Sequence, residues 1–438
     1  MSWCQPGGVP AHGLAEIGWN GARIDPRFER QNFAVAVAED EVEGEIESEE
    51  EVESLRWHRA GQHFAADYDS IDVFAVDLLD YCFQRRQIGV NVVQRRDAHR
   101  ATVSRNGAVR SALESTMSKL LILNEHEVEQ LLTMSECIEV MEQALASLAR
   151  GEVHNPLRSI VRAPEADGFL GLMPAYRGGE VPRYCLKEVC IFPGNPSRGL
   201  DTHLGAVLLH DGETGELMAV MNASAITAIR TAAVSAVATK LLARENAHTL
   251  AIIGAGVQGK SHLEAIPLVR AVDDVRIVSR TREKADALAG KGVRVVDSVE
   301  EAVKGADIIV TATSSREPII RRNWLDDGVH INAVGSSVAV ARELDSDTVA
   351  AASLFVDRRE STVNESGDYL SALREGAITD GHIRAELGEI LLGRAEGRTS
   401  PTEITLFKSL GLAVEDLAAA QFLYEKASRE GAGTWVDF

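Results

Sequence analysis

The sequence predicts an α/β protein in which a doubly wound parallel sheet is joined to a mostly antiparallel α+β domain. Two observations carry this. The first is the run from Asn222 to Thr281: an Ala-rich helix, NASAITAIRTAAVSAVATKLLA, then Leu250-Ala-Ile-Ile253, Gly254-Ala-Gly256-Val-Gln-Gly259, and Val275-Arg-Ile-Val278 closing on Ser279-Arg280-Thr281. The second is the change of pattern around it. Short apolar runs broken by turn residues precede it, and strands alternating with helical segments follow it.

Strand, glycine turn, helix and second strand is the order a Rossmann dinucleotide-binding unit requires. Gly254 makes the tight turn, Gly256 lets backbone N–H groups approach a pyrophosphate, and Gly259 lets the new helix pack on its strand. The helix N-terminus faces the negative charge.

The 438 residues leave room for two or three domains. A net charge of -21 argues against nucleic-acid and anionic-membrane partners, both of which select basic patches. Charges interrupt the apolar runs, so no transmembrane helix is expected, and MSWCQPGGVP lacks the features of a secretory signal. Five cysteines without CxxC spacing suggest reduced thiols in a cytoplasmic protein, with Cys185 and Cys190 read as buried small hydrophobes. His203 and His210 read as polar strand residues, and no metal site is apparent.

Residues 1–116 differ from the rest. They contain no lysine, three of the five tryptophans and the acidic run Glu39 to Glu53, which reads as solvated or disordered. Met117 is the expected functional start, with 1–116 an extension outside the main fold. From there Leu120–Leu123 reads as a strand, Asn124 and Glu127 as a cap, and Ser135 as the start of a helix ending at Gly151. Short strands follow at Ser159–Arg162, Gly168–Met173, Tyr184–Phe192, Thr202–Leu209 and Glu216–Met221. After Thr281 come a helix, a strand at Val293–Val296, a capping box of Ser298 with Glu301, and strands at Ile308–Ala312, His330–Val334 and Leu354–Val356. The last helix, Val414 to Ser428, is expected to return over the first domain. The expected domains are 117–245 with 400–438 for substrate binding and dimerisation, and 246–399 for the dinucleotide.

Several motifs carry a resemblance: Leu172-Met-Pro174, Lys187-Glu-Val189 with Pro193 and Asn195, Thr227-Ala-Ile-Arg-Thr-Ala-Ala233, and Gly254-Ala-Gly-Val-Gln258. Asn332-Ala-Val-Gly335, Arg342-Glu-Leu344 and Phe407-Lys-Ser-Leu-Gly411 continue it. From Met117 onward the chain resembles the ornithine cyclodeaminase/mu-crystallin family, which includes ketimine reductases and archaeal-type alanine dehydrogenases. The resemblance implies a homodimer built through the antiparallel domain, with the active site in the cleft beside the Rossmann domain. It implies that Arg158, Lys187 and Arg230 hold the substrate, with Lys187 and Arg230 catalytic. For the cofactor it implies Thr202, Val257, Gln258, Thr313, Asn332, Ala333, Val334 and Ser409, beside Gly254, Gly256 and Gly259 of the glycine turn.

The chemistry of these residue types agrees. An arginine fork clamps an α-imino or α-keto carboxylate bidentately, and a cleft lysine can supply a proton at the nitrogen or oxygen. Alternation alone leaves Lys187 facing either solvent or the cleft, and Arg162 lies close enough to compete with Arg158.

Two departures refine the reading. Cyclodeaminases and some alanine dehydrogenases of the family carry a catalytic aspartate two residues after the glycine of Asn-Ala-Val-Gly; here Ser337 stands there, at the substrate. An unactivated serine is no general base at neutral pH, so imine reduction is favoured over ornithine cyclodeamination. At the end of the second strand, Ser279-Arg280-Thr281 offers no carboxylate to a ribose 2′-hydroxyl and an arginine to a 2′-phosphate. NADP(H) is therefore favoured, with NAD(H) possible. The expected activity is reduction of a small α-imino acid of the pyrroline-2-carboxylate or piperideine-2-carboxylate type. Ornithine cyclodeaminase, alanine dehydrogenase and a non-catalytic NADPH-regulated binding protein are the alternatives.

Overall fold

The computed structural model describes residues 119–290 and 292–438. The acidic run and the expected start at Met117 lie outside them. The described residues belong to one compact unit containing two sheets.

The first sheet is mostly antiparallel. In chain order its strands are β1 (Lys119–Leu123), β2 (Val153–His154), β3 (Ser159–Val161), β4 (Phe169–Arg177), β5 (Arg183–Ile191), β6 (His203–Asp211), β7 (Leu217–Asn222) and β16 (Thr434–Asp437). They lie side by side as β16-β1-β7-β6-β5-β4-β2, with β3 also on β4. β4 runs through Pro174, where the reading from sequence ends it. Its edge neighbours pair with residues 176–177 (β2) and 170–172 (β3), so Pro174 faces the gap where residues 155–158 leave the sheet. A proline is tolerated where no partner accepts an N–H.

Cross-strand register gives the sheet two apolar faces. The inner row Met173, Lys187, Val207 and Met221 is buried. The outer row Pro174, Leu186, Leu208, Val220 and Ile122 is covered only in part, and Tyr184 and Leu204 on the same side are exposed. Cys185 is on the inner face and buried, but Cys190, five residues on, falls on the outer face and is exposed, contrary to the expectation for it.

Helices pack over the inner face. Met134–Arg150 starts at Thr133, not Ser135, because Thr133 and Glu136 form the capping box; Gly151 closes it in the left-handed conformation. The helix Ala223–Leu242, capped by Asn222, is apolar on every side. By length and composition alone it could cross a membrane, which the sequence reading did not anticipate, yet most of it is buried between the sheets. Ala413–Glu430 returns across β4, β5 and β6.

The second sheet is all parallel, in the order β10-β9-β8-β11-β12-β15-β13-β14. Its strands are β8 (Thr249–Ile253), β9 (Asp274–Val278), β10 (Val293–Val295), β11 (Ile308–Thr311), β12 (His330–Ala333), β13 (Ser353–Val356), β14 (Ile383–Glu386) and β15 (Thr405–Lys408). Order reverses between β8 and β11, the switch point where such sheets bind nucleotides. β15 lies between β12 and β13, so this layer extends past residue 399. The Ser298 box is half formed: Ser298 accepts from the Glu301 N–H, but Glu301 accepts from the Asp297 N–H.

Candidate active site

Lys187 occupies an inward position on β5, flanked by Met173 and Val207, and is 3% exposed. Arg230 projects from the second turn of Ala223–Leu242 and is 4% exposed. What brings them together is the first turn of Ala413–Glu430. Asp416 Oδ2 lies 2.7 Å from Lys187 Nζ, and its Oδ1 lies 3.2 Å from Arg230 Nε. Glu415 Oε2 is 2.8 Å from Arg230 Nη1. Both carboxylates are fully buried.

Burial is the main influence on the charges. It lowers the Lys187 ammonium to about 8, helped by the nearby Arg230 charge and opposed by Asp416. It raises the Glu415 carboxyl to about 7, against the pull of Arg230. For Arg230 burial acts downward, but Asp416 and Glu415 together outweigh it and raise the guanidinium.

The backbone before this helix is a second hub. Gly411 has φ 77°, and a Cβ there would lie 2.6 Å from Arg230 Nη1. Asp357, at the end of β13, accepts from the N–H groups of Leu410 (2.6 Å) and Gly411 (2.8 Å). Arg158 leaves the sheet edge opposite Pro174 and donates to the carbonyls of Leu410 (2.8 Å) and Gly411 (3.3 Å). It also pairs with Glu365 at 3.0 Å. Arg162 is exposed and stacks over Phe169. Of the two candidate arginines, Arg158 is therefore the one beside Lys187 and Arg230. A narrow cleft opens here, lined by Pro156, Arg158, Met173, Glu365 and Gly411. Two of these lining residues adjoin the buried charges: Met173 is the cross-strand partner of Lys187, and Gly411 packs against the Arg230 guanidinium.

The glycine turn follows β8. Gly254 has φ 109°, and a Cβ on it would lie 2.4 Å from the Ala312 carbonyl oxygen; on Gly259 it would meet the Gly254 oxygen at 2.1 Å. Around Gly256 a Cβ would meet nothing, so the start of the helix Val257–Ala265 is open to an incoming group. Val257 beside it is exposed. Gln258 donates to the Thr227 carbonyl (3.3 Å) and leaves a buried Oε1 without a partner. An open helix N-terminus on a glycine turn suits the pyrophosphate of a dinucleotide.

At the end of β9, Ser279 Oγ accepts from the Thr281 N–H, while Arg280 is exposed and, among the described residues, makes no ion pair. Thr313 donates from N and Oγ1 to Glu343, both at 2.7 Å. Asn332 donates its Nδ2 to Thr239 (2.9 Å), while its Oδ1 is buried without a hydrogen-bond partner; Ala333 and Val334 complete the buried strand end. Ser409 donates its N–H to the Ala333 carbonyl. Thr202 is half-buried and its carbonyl accepts from the Phe192 N–H. Ser337 is half-buried and follows Ser336, a non-glycine residue at φ 51°.

The sequence reading missed the carboxylates. Glu415 and Asp416 read as ordinary acids in a first helical turn, where they complement the dipole. It also missed the buried set Glu343, Asp368 and Lys408. Lys408 Nζ is 2.9 Å from Asp368 and donates to the Gly335 carbonyl (2.8 Å), while Asp368 accepts from the N–H groups of Glu343 and Leu344. This set ties together the ends of β11, β12 and β15.

The profile of the ornithine cyclodeaminase/mu-crystallin family matches residues 118–431. The chain is 43% identical over 313 residues to the ketimine reductase mu-crystallin of Mus musculus, covering 70% of this chain and 97% of that protein. Among solved structures it is similar to Thermococcus litoralis Delta(1)-pyrroline-2-carboxylate reductase in complex with NADH and L-proline. That match has TM-score 0.70 and 41% identity, covering 72% of this chain and all of that one. An archaeal alanine dehydrogenase dimer with bound NAD matches with TM-score 0.69 and 34% identity, covering 73% and 99%. The chain belongs to the ornithine cyclodeaminase/mu-crystallin family.

Proposed function

We propose that this protein reduces the C=N bond of a small cyclic α-imino acid, of the Δ1-pyrroline-2-carboxylate or Δ1-piperideine-2-carboxylate type, with a reduced nicotinamide. It is an oxidoreductase acting on C–N bonds. The observation that carries the finer reading is the buried Lys187 with its ammonium on Asp416, next to Arg230 and within one loop of Arg158. That grouping suits an anionic substrate whose nitrogen must gain a proton.

Arg158 and Arg230 hold the substrate carboxylate with the guanidinium donors their carboxylate partners leave free. Lys187, held near 8, supplies a proton at the imine nitrogen and regains one from solvent between turnovers. Gly254, Gly256, Val257, Gln258 and Gly259 hold the dinucleotide, with Thr202, Thr313, Asn332, Ala333, Val334 and Ser409 along its path. The nicotinamide supplies the hydride when bound.

NADPH is the proposed cofactor, because Arg280, exposed and without an ion pair among the described residues, can pair with a 2′-phosphate, and Ser279 and Thr281 offer hydroxyls rather than a carboxylate. Ser337 counts against the cyclodeaminase alternative. We also propose a cytoplasmic homodimer: within the described residues no helix covers the outer row Pro174, Leu186, Leu208, Val220 and Ile122, and a second copy would bury it. The test is product labelling. Reduced cofactor carrying deuterium at the transferring carbon should give deuterium at C2 of proline from Δ1-pyrroline-2-carboxylate; unlabelled or no proline would overturn the reading.

A further inference from the structure

The charges around Lys187, all buried except the half-buried pair Arg158 and Glu365, do not balance. Arg158, Lys187 and Arg230 carry three positive charges, whereas Asp357, Glu365, Glu415 and Asp416 carry four negative ones when ionised. An uncompensated charge in such surroundings is costly, and a carboxyl group relieves it by keeping a proton. The four carboxylates are not equally supported. Asp357 accepts three backbone N–H bonds, from Arg358, Leu410 and Gly411. Asp416 has both Lys187 and Arg230, and Glu365 has Arg158. Glu415 has one ion pair, through Oε2, and its Oε1 is buried without a hydrogen-bond partner.

We infer that Glu415 is the proton-holding carboxyl of this cluster, and that entry of the substrate's carboxylate draws a proton onto it. Glu415 does not line the cleft, so it is a positioning residue acting through Arg230. The groups facing it are Arg230 from the Ala-rich helix, Asp357 from the end of β13, Lys187 from β5, Cys137 from Met134–Arg150 and Asp416 on its own helix. Of these only Arg230 and Lys187 are cationic, and Asp416 already engages both. A substrate carboxylate arriving at Arg158 and Arg230 brings a fifth negative charge, which favours the protonated form of the least supported acid. Binding then takes up a proton, and product release returns it. The carboxyl value of about 7 set by burial places this exchange in the neutral range. The coupling rests on the imino-acid reading of the cleft; the proton on Glu415 in the free enzyme does not.

Two measurements on the full-length protein test this. Infrared difference spectra of the free enzyme across pH 5 to 9 should show a protonated carboxylic C=O band that disappears around neutrality and is missing from Glu415→Gln. The band's persistence in Glu415→Gln, or its absence from the wild type, would overturn the assignment. Calorimetry of pyrrole-2-carboxylate binding to the enzyme with oxidised cofactor, in buffers of different ionisation enthalpy at pH 8, should show net proton uptake that falls to near zero in Glu415→Gln. Equal uptake in both proteins, or none in the wild type, would overturn the coupling. Failure of the ligand to bind the wild type would overturn the coupling together with the imino-acid reading, leaving the infrared result to decide Glu415. If Glu415→Gln does not fold, Glu415→Asp should shift the pH midpoint of the band, and an unmoved midpoint would overturn the assignment.

Discussion

The Lys187 ammonium lies 2.7 Å from the Asp416 carboxylate, both buried, and Arg230 shares the same carboxylate from the other side. One aspartate thus joins a sheet residue to a helix residue more than forty positions away. A surface pair of this kind contributes little, but breaking a buried one by removing a single partner costs about 3–5 kcal/mol.

Lys187→Ala should lower kcat at least about 100-fold, the usual span for a lost general acid, while leaving NADPH affinity nearly unchanged. Stopped-flow cofactor binding beside steady-state turnover checks both. Lost cofactor binding with normal saturated turnover would contradict the role given to Lys187.

The pH dependence has a definite sign. With Lys187 lowered to about 8, the proton-donating form disappears as pH rises through that value. Reductive kcat/KM should fall above about pH 8, and the oxidative direction should rise there. For stability the raised Glu415 carboxyl works in the opposite range: its contribution is full below 4.5 and is lost as pH rises through about 7. Between pH 5 and 8 the wild type should lose up to about 3 kcal/mol relative to Glu415→Gln, which paired denaturant titrations would measure.

Arg280→Ala should weaken NADPH by about tenfold or more and leave NADH nearly unaltered, since one charge-assisted contact is worth about 1.5–3 kcal/mol. Equal losses for the two cofactors would remove the 2′-phosphate argument.

Gly411→Ala should destabilise by about 1–2 kcal/mol for the left-handed backbone alone, and it should raise KM, because the new Cβ would press on Arg230 from 2.6 Å. Thermal denaturation and the KM for the imine separate the two effects.

Much of this site was legible in the sequence, because its motifs are local. Gly254, Gly256 and Gly259 announce the turn, since backbone geometry restricts those positions to glycine or leaves them open. The direction of Lys187 was not legible. Alternation gives two faces, and both faces of this sheet are apolar. The partners Glu415 and Asp416 were hidden because their role is non-local: about 230 residues separate them from Lys187 in sequence. Thr405–Lys408 pairs within the parallel sheet although 400–438 is expected with the other domain; its lysine charge is buried on Asp368. The exposed Cys190 follows from the same two-residue period, read one face over.

The measurement that tests the central claim most directly is steady-state oxidation of NADPH, and separately NADH, by the full-length protein with Δ1-pyrroline-2-carboxylate. Pyruvate with ammonia, and ornithine with NAD, would run in parallel. The account predicts turnover with the cyclic imine, faster with NADPH. No oxidation there, with proline and ammonia formed from ornithine and NAD, would contradict it and make the residue at 337 no obstacle to the lyase reaction.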